Sequence, residues 1–385
     1  MELFPDAITS KLPQTGTSVF AIMSQMAKEH NAINLSQGFP DFPISGELVE
    51  LVHKYMREGH NQYSPMPGLP RLREAIAEKT AFLYTAQYNP ETEITVTAGA
   101  TQAIFTAIQA FIREDDEVIV FEPAYDSYVP AIKLAGGMPI CVQLKLPDYH
   151  IDWDEVKKHL NGRTRMIIIN SPHNPTGSIL SAADMAQLEK LTKNTGIIIL
   201  SDEVYEHLIF DGREHQSVCR FPGLAKRSLV MCSFGKTFHA TGWKLGYCVA
   251  PENLMKEFRK VHQFVVFCVN TPVQCAVADF LQNKDNYLNL GGFFQEKRDY
   301  FLELLKGSRF KLIPASGTYF QVLDYSAISE EPEMEFATRL TKEFGVASVP
   351  NSYFYHKPVN NQTLRFCFAK SNETLEKAAE ILCRI

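Results

Sequence analysis

The chain lacks an apolar run of 18 residues, so no helix read from it spans a bilayer. Its longest apolar stretches are strand-sized, such as Ile197-Ile198-Ile199-Leu200. It also lacks a basic balance. The 38 Lys and Arg stand against 44 Asp and Glu, a net charge of −6, and no basic stripe compensates. That excludes a nucleic-acid scaffold. The eight cysteines (Cys141, Cys219, Cys232, Cys248, Cys268, Cys275, Cys367 and Cys383) include no C-x-x-C pair. A structural zinc site is therefore not expected, nor any metal, and the thiols fit free residues in a reducing cytosol. The opening Met1-Glu2-Leu3-Phe4-Pro5-Asp6 has neither a basic segment nor an apolar one, so no secretory leader is expected and the location expected is cytoplasmic.

Aromatic residues are plentiful. The 26 Phe and 15 Tyr, with many Ile and Val, supply a large core and exclude dominant disorder. At roughly 150 residues per domain, 385 residues suggest two domains of unequal size. From about residue 94 short apolar runs alternate with amphipathic stretches. Strands are predicted at 94–97, 117–121, 138–143, 165–170, 197–200 and 228–232, and helices at about 101–113 and 182–193. Such alternation predicts parallel strands buried on both faces, an α/β fold with a doubly wound, mostly parallel sheet. After about residue 252 come long helices (253–266, 288–306), short strands (318–323, 364–368) and a last helix from 373. This reads as a smaller α+β domain. The expected division is a large domain over 38–285 and a small one over 286–385, joined by an N-terminal arm over 1–37.

Open α/β sheets bind ligands at the carboxyl ends of their strands. After 94–97 comes Gly99-Ala100-Thr101, either an anion cradle at a helix start or an ordinary glycine turn with a threonine cap. After 165–170 comes Ser171-Pro172-His173-Asn174-Pro175-Thr176-Gly177, a rigid turn that also holds an amide. After 197–200 comes Ser201-Asp202-Glu203-Val204-Tyr205, whose acid is either a helix cap or a buried carboxylate awaiting a cation. After 228–232 comes Ser233-Phe234-Gly235-Lys236-Thr237, followed by Gly242-Trp243-Lys244-Leu245-Gly246.

Three chemistries could use Ser233 and Lys236. A Ser-x-x-Lys acylating pair needs Ser-Asp-Asn and Lys-Thr-Gly elsewhere, but Ser201-Asp202 is followed by Glu203 and Lys236-Thr237 by Phe238. A P-loop needs glycine at position 230, which is Val230. The third is a lysine amine joined to an aldehyde cofactor, pyridoxal 5'-phosphate, and it uses all the strand ends at once. Asp202 would keep the ring nitrogen protonated. Asn174 and Tyr205 would donate to the ring oxygen, and Tyr125 would stack on the ring. Gly99, Ala100, Thr101, Ser233 and Lys244 would hold the phosphate.

With these motifs, and with Asn34-Leu35-Ser36-Gln37-Gly38-Phe39-Pro40-Asp41 and Tyr63-Ser64-Pro65-Met66-Pro67-Gly68, the chain resembles the fold type I, class I pyridoxal-phosphate aminotransferases over nearly its whole length. Within them it most resembles the methionine aminotransferases and the kynurenine aminotransferase / glutamine transaminase K group. The resemblance implies that Lys236 carries the cofactor and then moves the α-proton, with Asp202 and Tyr205 completing the catalytic set. It implies that Arg365, in Leu364-Arg365-Phe366, clamps the substrate carboxylate with help from Gly38 and Asn174. It implies a homodimer with shared active sites, in which Tyr63 reaches the partner's phosphate. The activity implied is a ping-pong transfer of the amino group of methionine, glutamine or aromatic amino acids, including kynurenine, to a 2-oxo acid. The rival is a cysteine-S-conjugate β-lyase using the same site.

Two departures stand out. Lys244 occupies a place where aspartate-type enzymes have arginine, and a point charge replaces a fork. The stretch Gln263 to Thr271 has no arginine for a second substrate carboxylate, so aspartate is an unfavourable donor.

Overall fold

The computed structural model describes residues 8–13 and 15–385. Residues 1–7 and Gln14, which belong to the expected N-terminal arm and include the opening read for a leader, lie outside the described residues. The frame is a seven-stranded sheet. Its strands are β1 (Ile94–Thr97), β2 (Glu117–Glu122), β3 (Met138–Gln143), β4 (Thr164–Asn170), β5 (Ile198–Asp202), β6 (Ser228–Ser233) and β7 (Gly246–Val249). They lie in the order β1-β7-β6-β5-β4-β2-β3, and all pairs except those of β7 are parallel.

Side chains alternate across a strand, and here the alternation feeds two cores. Ile119, Ile167, Ile169 and Ile199 face one side with helices Gly46–Arg57, Pro70–Tyr84 and Ala182–Thr192. Val118, Val120, Met166, Ile168 and Leu200 face the other, against helices Ala100–Phe111 and Glu252–Val265. Burial on both faces is why these strands read as unbroken apolar runs. The edge strand β3 departs from that expectation and is largely half-exposed, because only one neighbour covers it.

Strand β7 was not foreseen and runs antiparallel between β1 and β6. It is four residues long and starts on Gly246, so it reads as the tail of a glycine loop. A Cβ on Gly246 would lie 2.6 Å from the Cys232 carbonyl oxygen. Glycine is what lets the strand lie this close. The long helical stretch expected over 288–306 breaks into Asp285–Leu288 and Leu290–Leu304.

A separate antiparallel sheet joins Val349–Pro350, Thr363–Cys367, Phe320–Asp324 and Lys311–Leu312 in that order. Val19, Met23, Phe294, Phe301, Phe320, Phe366 and Leu375 form its core. The N-terminal helix Val19–Glu29 therefore packs with this sheet, and Ile33–Asn34 pairs in parallel with Val346–Ala347.

Candidate active site

Register brings the strand ends together. Asn170 pairs with Asp202 across β4 and β5, Ser233 with Gly246, and Gly246 with Thr97. The loops that follow enclose a cavity of about 150 Å³. Gly99, Ala100, Thr101, Tyr125, Asn174, Asp202, Tyr205, Ser233, Lys236 and Lys244 all line it. Gly38 and Arg365 touch it through Lys236 and Asn174. Tyr63 lies apart from its walls, 81% exposed and edge-on to Phe267. A larger hollow of about 560 Å³ lies elsewhere, between Leu144–Ile151 and Lys311–Ser316, and none of the expected site residues lines it.

Asp202 ends β5 fully buried. Its Oδ2 accepts from Tyr128 Oη at 2.5 Å and its Oδ1 from the Val204 N–H at 3.3 Å. Among the described residues it forms no ion pair. Burial in an apolar setting disfavours the anion, and the carboxyl is pushed up to about 6.

Lys236 points into the protein. Its Nζ donates to Tyr319 Oη at 2.9 Å and to the Gly38 carbonyl at 3.2 Å. Burial first, then the nearby cations Arg365 and Lys244, push the ammonium down to about 8. The helix Ala100–Phe111 begins at Gly99 (φ +77°) with no side chain capping its first N–H groups. A Cβ on Gly99 would sit 3.4 Å from Lys244 Nζ, so that amine lies against the helix start. Thr101 Oγ1 and Tyr125 Oη are 3.2 Å apart. Uncapped N–H groups, a hydroxyl and an ammonium make an anion cradle.

Arg365 is 1% exposed. Its plane stacks over Phe320 at 3.9 Å. Nη1 donates to Asn174 Oδ1 at 2.7 Å and Nη2 to the Ser36 carbonyl at 3.1 Å, while Nε has no partner among the described residues. Burial lowers the guanidinium to about 10.

Three participants were not read from the sequence. Tyr128 lies three residues beyond Tyr125, edge-on to it at 5.6 Å and at the start of the helix Tyr128–Leu134, and that spacing could have marked it. Asn170 ends β4 and steadies the turn, since its Oδ1 accepts from the Asn174 N–H at 2.9 Å and its Nδ2 donates to the Asp202 carbonyl at 2.9 Å. Tyr319 carries no local signal, because it reaches Lys236 only through the meeting of the two sheets.

A doubly wound sheet presenting a buried lysine amine, a buried acid and an anion cradle at its carboxyl edge defines an enzyme of amine chemistry. The family model described as "Aminotransferase class I and II" matches residues 30–382. The chain belongs to that family and is a transaminase. It is 48% identical over 374 residues to the methionine aminotransferase of Escherichia coli (strain K12), covering 97% of each chain. It is 34% identical to the kynurenine–oxoglutarate transaminase of Dictyostelium discoideum, covering 96% of this chain and 94% of that one. A solved Escherichia coli structure described as having a methionine aminotransferase function superposes with a TM-score of 0.97 at 48% identity, covering 99% of this chain and 100% of that one.

Proposed function

We propose that the chain is a homodimeric, pyridoxal 5'-phosphate-dependent transaminase that takes the amino group of methionine, and of glutamine or aromatic amino acids including kynurenine, to a 2-oxo acid. One observation carries the reading. A buried lysine, its ammonium lowered to about 8, lines the same small cavity as a buried carboxylate that forms no ion pair among the described residues. A protonated pyridine ring is a fitting partner for that acid. When bound, the cofactor supplies the electron sink that makes an amino acid's α-proton removable.

Asp202 would hold the ring N–H, with Tyr128 fixing the carboxylate plane. Asn174 presents its oxygen to Arg365, which turns its NH₂ toward the cavity as a donor to the ring oxygen. Tyr205, buried beside it, would be the second donor. Tyr125 would cover one ring face. Gly99, Ala100, Thr101, Ser233 and Lys244 would hold the phosphate, and Tyr63 would reach the partner's. The guanidinium of Arg365 suits a substrate carboxylate in a bidentate pair. Gly38 would assist through its backbone. Lys236, whose ammonium is lowered to about 8 by burial, gives up its proton more readily than a solvated lysine, and its neutral amine can take the α-proton. With a division into 38–285 and 286–385 with 1–37, the cofactor's contacts would lie in the first unit and Arg365 would reach them from the second.

The names of the relatives favour transfer over β-elimination. The stretch Gln263–Thr271 ends the helix Glu252–Val265 and leaves Phe264 and Phe267 exposed, with no arginine. Aspartate should therefore be a poor donor. The test is spectroscopic. Protein loaded with the cofactor should show a visible band that methionine bleaches and a 2-oxo acid restores. Lys236→Ala should lose the band while staying folded. A band unchanged in that variant overturns the assignment. Ammonia and pyruvate released from a cysteine conjugate without any oxo acid would show the lyase instead.

A further inference from the structure

We infer that Tyr319 is a positioning residue, one that grips the Lys236 amine whenever it is free and holds it on the path of the α-proton. The inference rests on the transaminase reading above.

The geometry is a triangle of three polar atoms. Lys236 Nζ donates to Tyr319 Oη at 2.9 Å and to the Gly38 carbonyl at 3.2 Å, and Tyr319 Oη in turn donates to the same carbonyl at 2.6 Å. The phenol thus has one acceptor role and one donor role, both filled. Its hydrogen is committed to Gly38, which leaves its lone pair directed at the amine. A hydroxyl so committed fixes the direction of the amine as well as its distance.

The ring is equally confined. Tyr319 is fully buried. Tyr205 meets it edge-on at 5.1 Å and Phe294 packs at 5.8 Å. It begins the run into the strand Phe320–Asp324, whose Val322 pairs with Arg365 in the next strand. Phe320, its neighbour, stacks on the Arg365 plane. A Cβ on Gly38 would lie 2.7 Å from Phe320 Cζ, so glycine there leaves the Phe320 ring its place. One segment, Tyr319-Phe320, therefore fixes both the proton-carrying amine and the guanidinium proposed for the substrate carboxylate.

A flexible lysine arm carries rotamer freedom that would otherwise dilute its reach toward the α-carbon. A hydroxyl that grips the amine removes that freedom and remains in place throughout the cycle. Tyr319 gains and loses no proton overall. Lys236 alone carries the α-proton from one carbon to the other.

The experiment is Tyr319→Phe in the cofactor-loaded enzyme. The ring and its packing survive, and only the hydroxyl goes. The visible band should persist, and far-ultraviolet circular dichroism should be unchanged. The single-turnover bleaching rate with methionine should fall by about tenfold to a hundredfold, the effect of losing one hydrogen bond to a charged group. The apparent affinity for methionine should change far less. The kinetic isotope effect with α-deuterated methionine should rise, because proton movement becomes the slower step. An unaltered bleaching rate and isotope effect would overturn the role of Tyr319 and leave the transaminase reading standing. Loss of the band altogether would also overturn it, since Tyr319 would then be needed to attach the cofactor and not to hold the freed amine. Failure of the transaminase reading appears separately, as a band that survives Lys236→Ala.

Discussion

At the scale of single residues, the site is organised by charges that burial makes uncomfortable. Arg365 has an aromatic face and two filled hydrogen bonds, yet its Nε stays unpaired in a buried setting, which favours a ligand anion beside it. Asp202 is the complementary case, and its discomfort is measurable. Its carboxyl moves from an ordinary value of 3.8 to about 6 because burial penalises the anion. The native protein without cofactor therefore holds a proton that the unfolded chain releases between about pH 4 and 6. The stabilising contribution is complete below that window and is lost as pH rises through about 6. At 1.36 kcal/mol per pH unit the loss is on the order of 3 kcal/mol. Asp202→Asn removes the titration. Urea unfolding of both proteins at a series of pH values should show wild-type stability, relative to the variant, falling by that amount between pH 4 and pH 7. All other groups titrate in both proteins and cancel. A flat difference would mean that Asp202 is not desolvated.

At the scale of elements, the chemistry is set by what a strand end presents. The helix Ala100–Phe111 starts without a side-chain cap, and the left-handed Gly99 delivers its N–H groups to the cavity. Gly99→Ala places a Cβ 3.4 Å from Lys244 Nζ on a backbone that L-residues rarely adopt. The strain is roughly 1–3 kcal/mol, and it falls on the phosphate cradle. The cofactor's dissociation constant should rise about tenfold or more, read by band titration. Gly242→Ala, with open space around its Cβ, is the control and should leave affinity unchanged. Equal losses in both would show that the helix start is not the cradle. The buried strands of this sheet were legible because burial on both faces writes an uninterrupted apolar run, and β1 falls on its predicted bounds. Strand β7 was not legible, being short and glycine-led, and its antiparallel direction depends on pairing partners distant in the chain. The same distinction divides the site. Asp202, Asn174 and Lys236 follow strands directly, whereas Tyr319 and Ser36 enter from the other sheet and from the N-terminal segment. Tyr128 had a local cue in its spacing from Tyr125, but its role lies in a contact 74 residues away.

At the scale of the whole molecule, Tyr63 poses a question of stoichiometry. It stands outside the cavity walls of its own chain, exposed and packed against the exposed Phe267. Phe264 is 87% and Phe267 56% exposed, and Phe267 takes φ +62° while meeting Tyr63 edge-on at 5.2 Å. Contiguous exposed aromatics mark an association surface, and a left-handed non-glycine residue is a strained position held for a purpose. A two-fold contact through this patch would give each protomer's Tyr63 to its partner's site. The expected sedimentation mass is twice the 43.5 kDa of one chain. Phe264→Asp, which forces a charge into the contact, should give the single-chain mass and weaken cofactor binding along with it. Tyr63→Phe should keep the double mass and weaken cofactor binding alone, because only a hydroxyl is lost. A Phe264→Asp protein that stays double places the interface elsewhere. A single-chain form that binds cofactor as tightly as the pair would show that each site is complete within one chain.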